Sequence, residues 1–208
     1  MDFHLVPRGE DRNYTGFLTK TIVYTASLIV FLAAFGLSIA SIVVPNWVSY
    51  HSEKPTYHYS YGLHRRCSSL TDTCESFPKR EDCIGEDRYF CSMWRSVGFM
   101  MSFAVVLQGM SVVTYLIILS GGKALRESGW RILSIFILLS ALVQVGSMSL
   151  VAYLVDNEAR FFVGWRLDKS WIYCTVSWCV SVFSAGTLIL AAYSLPSEGG
   201  YELIPDHS

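Results

Sequence analysis

The chain has 208 residues, of which 52% are apolar and only 16% are charged, and its mean hydropathy is +0.37. Soluble domains carry about 25% charged residues, so this composition points away from a soluble enzyme and predicts a membrane protein. The formal net charge of −1 supplies neither a basic field for nucleic acid nor an acidic tail. We therefore expect membrane lipid, and no nucleic acid, around this chain.

Four long stretches of the chain contain no Asp, Glu, Lys or Arg. They are residues 21–45, 96–120, 132–155 and 171–194. About 20 apolar residues in a helix cross a bilayer core of about 30 Å, so each stretch predicts a membrane span. The alternatives are a buried helical core in a soluble protein and, for the first stretch, a signal peptide. The lengths of the stretches and the lack of a small-residue cleavage site favour four retained spans.

The segments that connect the predicted spans are unequal. The first loop, 46–95, is far longer than the second, 121–131, and the third, 156–170. Four spans place the tails 1–20 and 195–208 on one side of the membrane. The first and third loops then share the other side.

The cysteines are concentrated in the first loop. Four of the six lie there, at Cys67, Cys74, Cys83 and Cys91. An even set in a polar loop predicts two disulfides in an oxidising compartment, with all three pairings open. The alternatives are free thiols or a zinc site, although zinc sites usually contain more closely spaced cysteine pairs.

The basic residues disagree with the cysteines about which side is cytoplasmic. Ten of the 16 Lys and Arg residues fall in the first and third loops, which the positive-inside rule places in the cytosol. Glycosylation of the sequon at Asn13 would also require a lumenal N-terminus. Four loop thiols have no evident use in a reducing cytosol. We therefore predict a plasma-membrane protein with cytoplasmic termini and an extracellular cysteine loop.

Alternating residue types predict strands in both loops on that side. Tyr57, Tyr59 and Tyr61 recur with the period of two that places side chains on one face of a strand. Gly62 follows as a bend or bulge, and residues 160–165 are a second candidate strand. The predicted fold is an all-α membrane protein, a left-handed four-helix transmembrane bundle with a small disulfide-stapled extracellular β-sheet.

The residues around the first loop resemble the signature of a known superfamily. Trp47 follows the first span, Gly62-Leu63-His64-Arg65-Arg66-Cys67 comes later, and Arg95 stands at the entrance to the second span. This order is similar to the W…G-L-W-x-x-C…C pattern of the claudin and peripheral-myelin-protein superfamily. That superfamily includes channel gamma-type subunits, clarins and fungal tetraspans of the PalI and eisosome type. His64 in place of Trp and four loop cysteines in place of two indicate a divergent branch.

The resemblance implies structural roles for Trp47, Gly62, Leu63 and Cys67. It places Trp47 at the junction of membrane and sheet, an interface that Trp and Tyr also favour by their chemistry. It further implies that Cys67 pairs with a later loop cysteine. Cys74 is the simplest partner by order, with Cys83 or Cys91 as alternatives.

Polar and small residues within the spans are candidates for contacts between helices. Gln108 and Gln144 lie in mid-span, where we predict interhelical hydrogen bonds, with substrate contact as the alternative. Small residues four apart predict close helix packing, within the bundle or against a partner helix. They are Gly36 and Ala40 in the first span, and Ser177, Ser181 and Ala185 in the fourth.

Two further patterns lie near the C-terminus. Cys174 and Cys179 fall within the fourth span, where cysteines usually serve as small packing residues. A thiol oxidoreductase is the alternative, although no CxxC pair is present. In the tail, the segment from Tyr201 to Ile204 fits the Y-x-x-Φ form that endocytic adaptors read.

These observations favour contact functions over chemistry. The sequence offers no evident nucleophile–base set, metal cluster or phosphate loop, so we expect no enzyme activity, catalytic residue, cofactor or metal. The leading hypothesis is an accessory subunit of a larger integral membrane complex, such as a channel, transporter or synthase. The alternative is a self-associating adhesion or membrane-organising scaffold. A thiol redox enzyme or small transporter ranks third.

Overall fold

The computed structural model describes residues 20–53, 56–85, 88–121, 123–158 and 160–195. Four of its helices are long and apolar enough to cross a bilayer, which identifies an integral membrane protein. They are α1 (Lys20–Val43), α2 (Arg88–Ser120), α4 (Trp130–Asn157) and α5 (Lys169–Ser194), with the short helix α3 (Lys123–Ser128) between α2 and α4. Their outer surfaces are apolar: Leu142 and Phe183 are each 69% exposed, as lipid-facing residues should be.

A five-stranded antiparallel sheet lies at one end of the bundle, hereafter the sheet end. Its strands are β1 (Val48–Glu53), β2 (Thr56–Tyr61), β3 (Arg65–Ser68), β4 (Thr73–Ser76) and β5 (Trp165–Leu167). The order is β4-β3-β2-β1-β5, so the third loop completes the sheet formed by the first. Two disulfides fix this region. The prediction of a four-helix bundle with a small disulfide-stapled sheet is confirmed.

The predicted strands are found with one shift in position. Strand β2 coincides with the segment in which tyrosines alternate. Strand β5 begins at Trp165, at the end of the predicted 160–165 segment, because Trp165 pairs with Tyr50 of β1. Phe161 instead turns inward and is 7% exposed.

Helix α2 extends well beyond its predicted span. It begins at Arg88, eight residues before the uncharged run that starts at Ser96. Arg88 and Arg95 both precede the uncharged run, yet the helix includes them. Cys91 and Arg95, which the sequence assigned to the first loop, therefore lie on this helix.

The interior of the bundle is layered along its length. An apolar cluster at the sheet end includes Trp47, Trp94 and Phe161, and a second cluster near the opposite end includes Phe31 and Tyr115. Between these clusters lies a polar layer from all four spans, formed by Ser38, Gln108, Gln144 and Ser177, each 0% exposed. This layering brings polar groups of all four spans together between two apolar clusters.

Candidate functional site

Trp47 joins three elements at the sheet end. Its indole Nε1 donates to the carbonyl of Ser41, in the last turn of α1, at 2.7 Å. Its backbone N–H donates to Tyr61 at 2.9 Å, and its carbonyl accepts from Asp168, just before α5, at 3.0 Å. The side chain is 0% exposed. Trp47 therefore sets the position of the sheet on the bundle.

Gly62 lies where the chain leaves β2 and passes against Pro45. A Cβ on Gly62 would lie 2.5 Å from Pro45 Cα, so only glycine fits. Its carbonyl accepts the indole N–H of Trp94, on α2, at 3.2 Å. The neighbouring Leu63 is 2% exposed within the same apolar cluster. The G-L pair of the sequence signature thus packs against the segment that follows α1 and against α2.

The two disulfides connect different parts of the sheet end. Cys67–Cys74 crosses the β3–β4 hairpin, where the two residues are direct partners in register. Cys83–Cys91 ties the segment after β4 to α2. Cys67 pairs with the neighbour that the sequence resemblance implied most simply.

An ion-pair cluster holds the hairpin against the segment that follows it. Arg66 contacts both Glu75 and Asp82 at 3.1 Å, and Lys79 contacts Glu75 at 2.9 Å. Hydrogen bonds from Lys79 and then Arg66 lower the pKa of Glu75. Because the side chains of this cluster remain 17–47% exposed, we assign the cluster a role in orientation more than in stability.

The sheet carries an aromatic surface that runs out to solvent, which we call the aromatic ridge (Tyr50, Tyr57, Phe162 and Trp165). The Tyr50 ring lies 5.0 Å from Phe162, 5.5 Å from Trp165 and 6.0 Å from Tyr57. Phe162 is 56% exposed, and the adjacent Val163 is 99% exposed at its tip. Gly164, at φ +115°, makes the turn that brings this tip against Tyr50.

The opposite face of the sheet is polar. His51 and His58 pair across β1 and β2, with ring centroids 4.7 Å apart. Burial, followed by the charge of His51, lowers the pKa of His58, with Asp168 acting in the opposite direction. Among the described residues, no His, Cys, Asp or Glu cluster has the arrangement of a metal site.

The polar layer inside the membrane is a directed chain of hydrogen bonds. Gln144 Nε2 donates to Ser38 Oγ at 2.8 Å, and Ser38 and Ser177 hydroxyls lie 2.6 Å apart. Ser177 Oγ donates its one proton to the Ala34 carbonyl at 2.9 Å, so Ser38 must be the donor to Ser177. Gln108 Nε2 lies 3.4 Å from Ser177 Oγ. Both glutamines thus contact serines on other helices.

The two small-residue stripes lie in different environments. Ser177, Ser181 and Ala185 are 0% exposed and pack within the bundle, where α5 meets α1. Gly36 is exposed, and nothing lies within 4 Å of the place where its Cβ would be. Gly36 therefore faces outward, whereas Ala40 is partly buried.

Three further candidates from the sequence, Cys174, Cys179 and Arg95, lie on helices and not on strands. Cys174 is buried, with its Sγ 3.8 Å from Met101 Sδ, and Cys179 is exposed. Both are free cysteines. Arg95 is exposed at the head of α2, with Nη2 3.9 Å from Cys83 Sγ. Tyr201 and Ile204 lie outside the described residues.

Sequence reasoning overlooked Trp94 and Ser38. Trp94 continues the buried series Phe90, Trp94, Val97 and Met101, whose spacing of three and four residues marks one face of a helix. Ser38 is a polar residue in an apolar span, and such residues seek partners on other helices. Both signals are present in the sequence.

Comparison with known proteins adds no further assignment. No protein-family model matches the chain, and no curated protein matches it.

Proposed function

We propose that this chain is a non-enzymatic, claudin-like four-span protein that acts through protein–protein contacts, as an accessory subunit of a larger membrane complex. In this proposal the sheet is extracellular at the plasma membrane and contacts the outer part of a channel, transporter or synthase. The bundle lies beside the partner's spans. Two features support this proposal: the sequence signature, and the arrangement of four spans beneath one disulfide-stapled sheet.

The observation that carries this proposal is the aromatic ridge with Val163 at its tip. Tyr, Trp and Phe are enriched in protein interfaces, where a few large side chains supply most of the binding energy. Here such side chains are partly exposed, and they stand on a sheet that Trp47 attaches to the bundle. One disulfide braces the β3–β4 hairpin of this sheet, and the other ties the segment after β4 to α2. A prepositioned apolar surface loses little entropy on binding.

The test compares two exposed apolar residues on the sheet end. Val163→Glu places a charge on the ridge, and Leu70→Glu makes the same chemical change at a 63% exposed site between β3 and β4. Each protein is purified from native membranes in mild detergent, and co-purifying chains are quantified by mass spectrometry. We expect a stoichiometric membrane partner with wild type and Leu70→Glu, and its loss with Val163→Glu.

Two results would contradict the accessory-subunit proposal. One is recovery of the chain without a stoichiometric partner in all three purifications. The other is equal partner recovery with both variants, which would remove the ridge from the interface. Free loop thiols in non-reducing peptide maps, or a glycan on Asn13, would contradict the proposed topology.

A second candidate function is self-association, and the outward-facing Gly36 favours it. Exposed small residues let the backbones of two membrane helices approach closely. Gly36→Leu would block such an approach, and Gly186→Leu on α5, also open, is the matched control. Oligomer size measured by single-molecule photobleaching should fall only with Gly36→Leu if α1 mediates contact between copies.

A further inference from the structure

Three arginines line one open groove at the head of α2. Arg80 comes from the segment after β4, and Arg88 and Arg95 come from the helix. The groove has a volume of about 930 Å³ and continues along Phe99 and Met100. We call these five residues the arginine groove.

The positive charge of this groove is not neutralised by the described part of the chain. No Asp or Glu is among its described lining residues, and none of its arginines forms an ion pair with a described residue. The nearby carboxylate of Asp82 is already occupied, by Arg66 at 3.1 Å and by the backbone N–H of Lys79 at 3.1 Å. Three guanidinium groups without an ion-pair partner among the described residues can bind an anion, and phosphate suits their forked geometry.

The lower part of the groove is apolar and faces the lipid. Arg88, Arg95, Phe99 and Phe103 are spaced seven, four and four residues apart, so they follow one face of α2. Phe99 is 73% exposed and stacks on Phe103, with ring centroids 6.4 Å apart. Along this face, positive charge near the sheet end is followed by apolar surface in the span. A phospholipid has the matching order, a charged headgroup followed by an acyl chain.

The groove is held in place by covalent structure. Cys83–Cys91 ties the segment that carries Arg80 to α2, between the two helical arginines. Exposed arginines near the end of a span ordinarily extend separately toward the headgroup layer. Here two elements are fastened together so that their arginines share one groove.

We infer that the arginine groove binds an anionic phospholipid, with its phosphate against Arg80, Arg88 and Arg95 and an acyl chain along Phe99 and Phe103. The lipid belongs to the leaflet that contains the sheet end. This inference does not depend on the proposed accessory function. It also gives a role to basic residues on the side that the positive-inside rule disfavours.

The test measures lipid retention by the full-length protein with native mass spectrometry. The probes are dioleoyl phosphatidylglycerol and dioleoyl phosphatidylcholine, which share acyl chains and differ in net charge. Arg88→Gln/Arg95→Gln removes two groove charges. Arg65→Gln/Arg166→Gln is the matched control, because it removes two exposed arginines of the sheet outside the groove. A thermal unfolding scan verifies that both variants fold.

We expect wild type and the control to retain phosphatidylglycerol in preference to phosphatidylcholine. Arg88→Gln/Arg95→Gln should bind phosphatidylglycerol about tenfold or more weakly, at about 1 kcal/mol for each arginine near an anionic surface. Phe99→Gln should also weaken binding while leaving the charge unchanged. Equal losses of phosphatidylglycerol binding in the two double variants would show that overall positive charge, and not the groove, retains the lipid. Equal binding of water-soluble glycerol phosphate, or displacement by an acidic peptide alone, would exclude a lipid site.

Discussion

The indole N–H of Trp94 donates to the carbonyl of Gly62 at 3.2 Å and so connects the second membrane helix to the bend of the sheet. Gly62 also lies against Pro45, at the end of the first span. Phe77 and Phe161 pack on the Trp94 ring, with centroids 5.8 and 6.3 Å away. One small residue and one large residue thus join two spans, the first loop and the third.

Trp94→Phe should lower stability through the lost hydrogen bond and the smaller ring. We expect a cost of about 1–3 kcal/mol, since the Gly62 carbonyl stays buried without its donor. Thermal unfolding in detergent measures the effect. Trp130→Phe is the control, because Trp130 is only partly buried and contacts Tyr193 at the far end of the bundle. Equal shifts in unfolding temperature for the two variants would show that the contact with Gly62 contributes nothing specific to stability.

Gly62→Ala should lower stability more than the addition of one methyl group usually does. The added methyl would meet Pro45 Cα at 2.5 Å, and both backbones would have to move, at a cost of about 1–3 kcal/mol or more. Gly109→Ala adds the same methyl to open space on α2. We expect a lower unfolding temperature for Gly62→Ala alone. An unchanged value there would mean that the sheet tolerates displacement from α1.

Ser38→Ala should weaken the bundle from within. Ser38 accepts from Gln144 and donates to Ser177, so its loss breaks two contacts and costs about 1 kcal/mol, within the range of interhelical hydrogen bonds in membranes. A double-mutant cycle with Gln144→Leu isolates the Ser38–Gln144 term. Ser149→Ala is the control, because its hydroxyl bonds only within α4. Additive effects of Ser38→Ala and Gln144→Leu would contradict a direct bond.

The two disulfides should differ in their response to mild reductant. Cys74 is exposed, whereas Cys91 is 2% exposed beneath the loop, so reductant reaches Cys67–Cys74 first. Alkylation under native conditions followed by peptide mapping measures the order. Full reduction should cost about 2–3 kcal/mol per bridge from loop closure. Earlier labelling of Cys83 and Cys91 would show that this region opens more readily than the hairpin.

The sheet should lose stability in mild acid. Because the pKa of folded His58 lies below its ordinary value near 6.5, the unfolded chain binds a proton first as the pH falls. The contribution of His58 is complete above about pH 6.5 and is lost as pH falls toward the folded pKa. Unfolding temperatures between pH 7.5 and 5 should fall less steeply for His58→Asn than for wild type. An identical slope would assign the acid sensitivity to other groups.

The sequence by itself determined the elements that local patterns encode. Uncharged runs the length of a bilayer predicted the four spans, and alternating tyrosines predicted β2, because both patterns act within one segment. The signature also selected Trp47 and Gly62, whose roles depend on their own chemistry: an indole with a polar edge, and a residue without Cβ.

Only the tertiary structure decided which distant groups meet. The pairing of Cys67 with Cys74 and of Cys83 with Cys91, the junction of β1 with β5, and the start of α2 at Arg88 depend on contacts across the fold. The same holds for the hydrogen bond of Gln144 with Ser38, 106 residues apart. Periodicity describes the face that a residue takes within its own element. The neighbour on that face is set by how helices and strands pack, which no local pattern records.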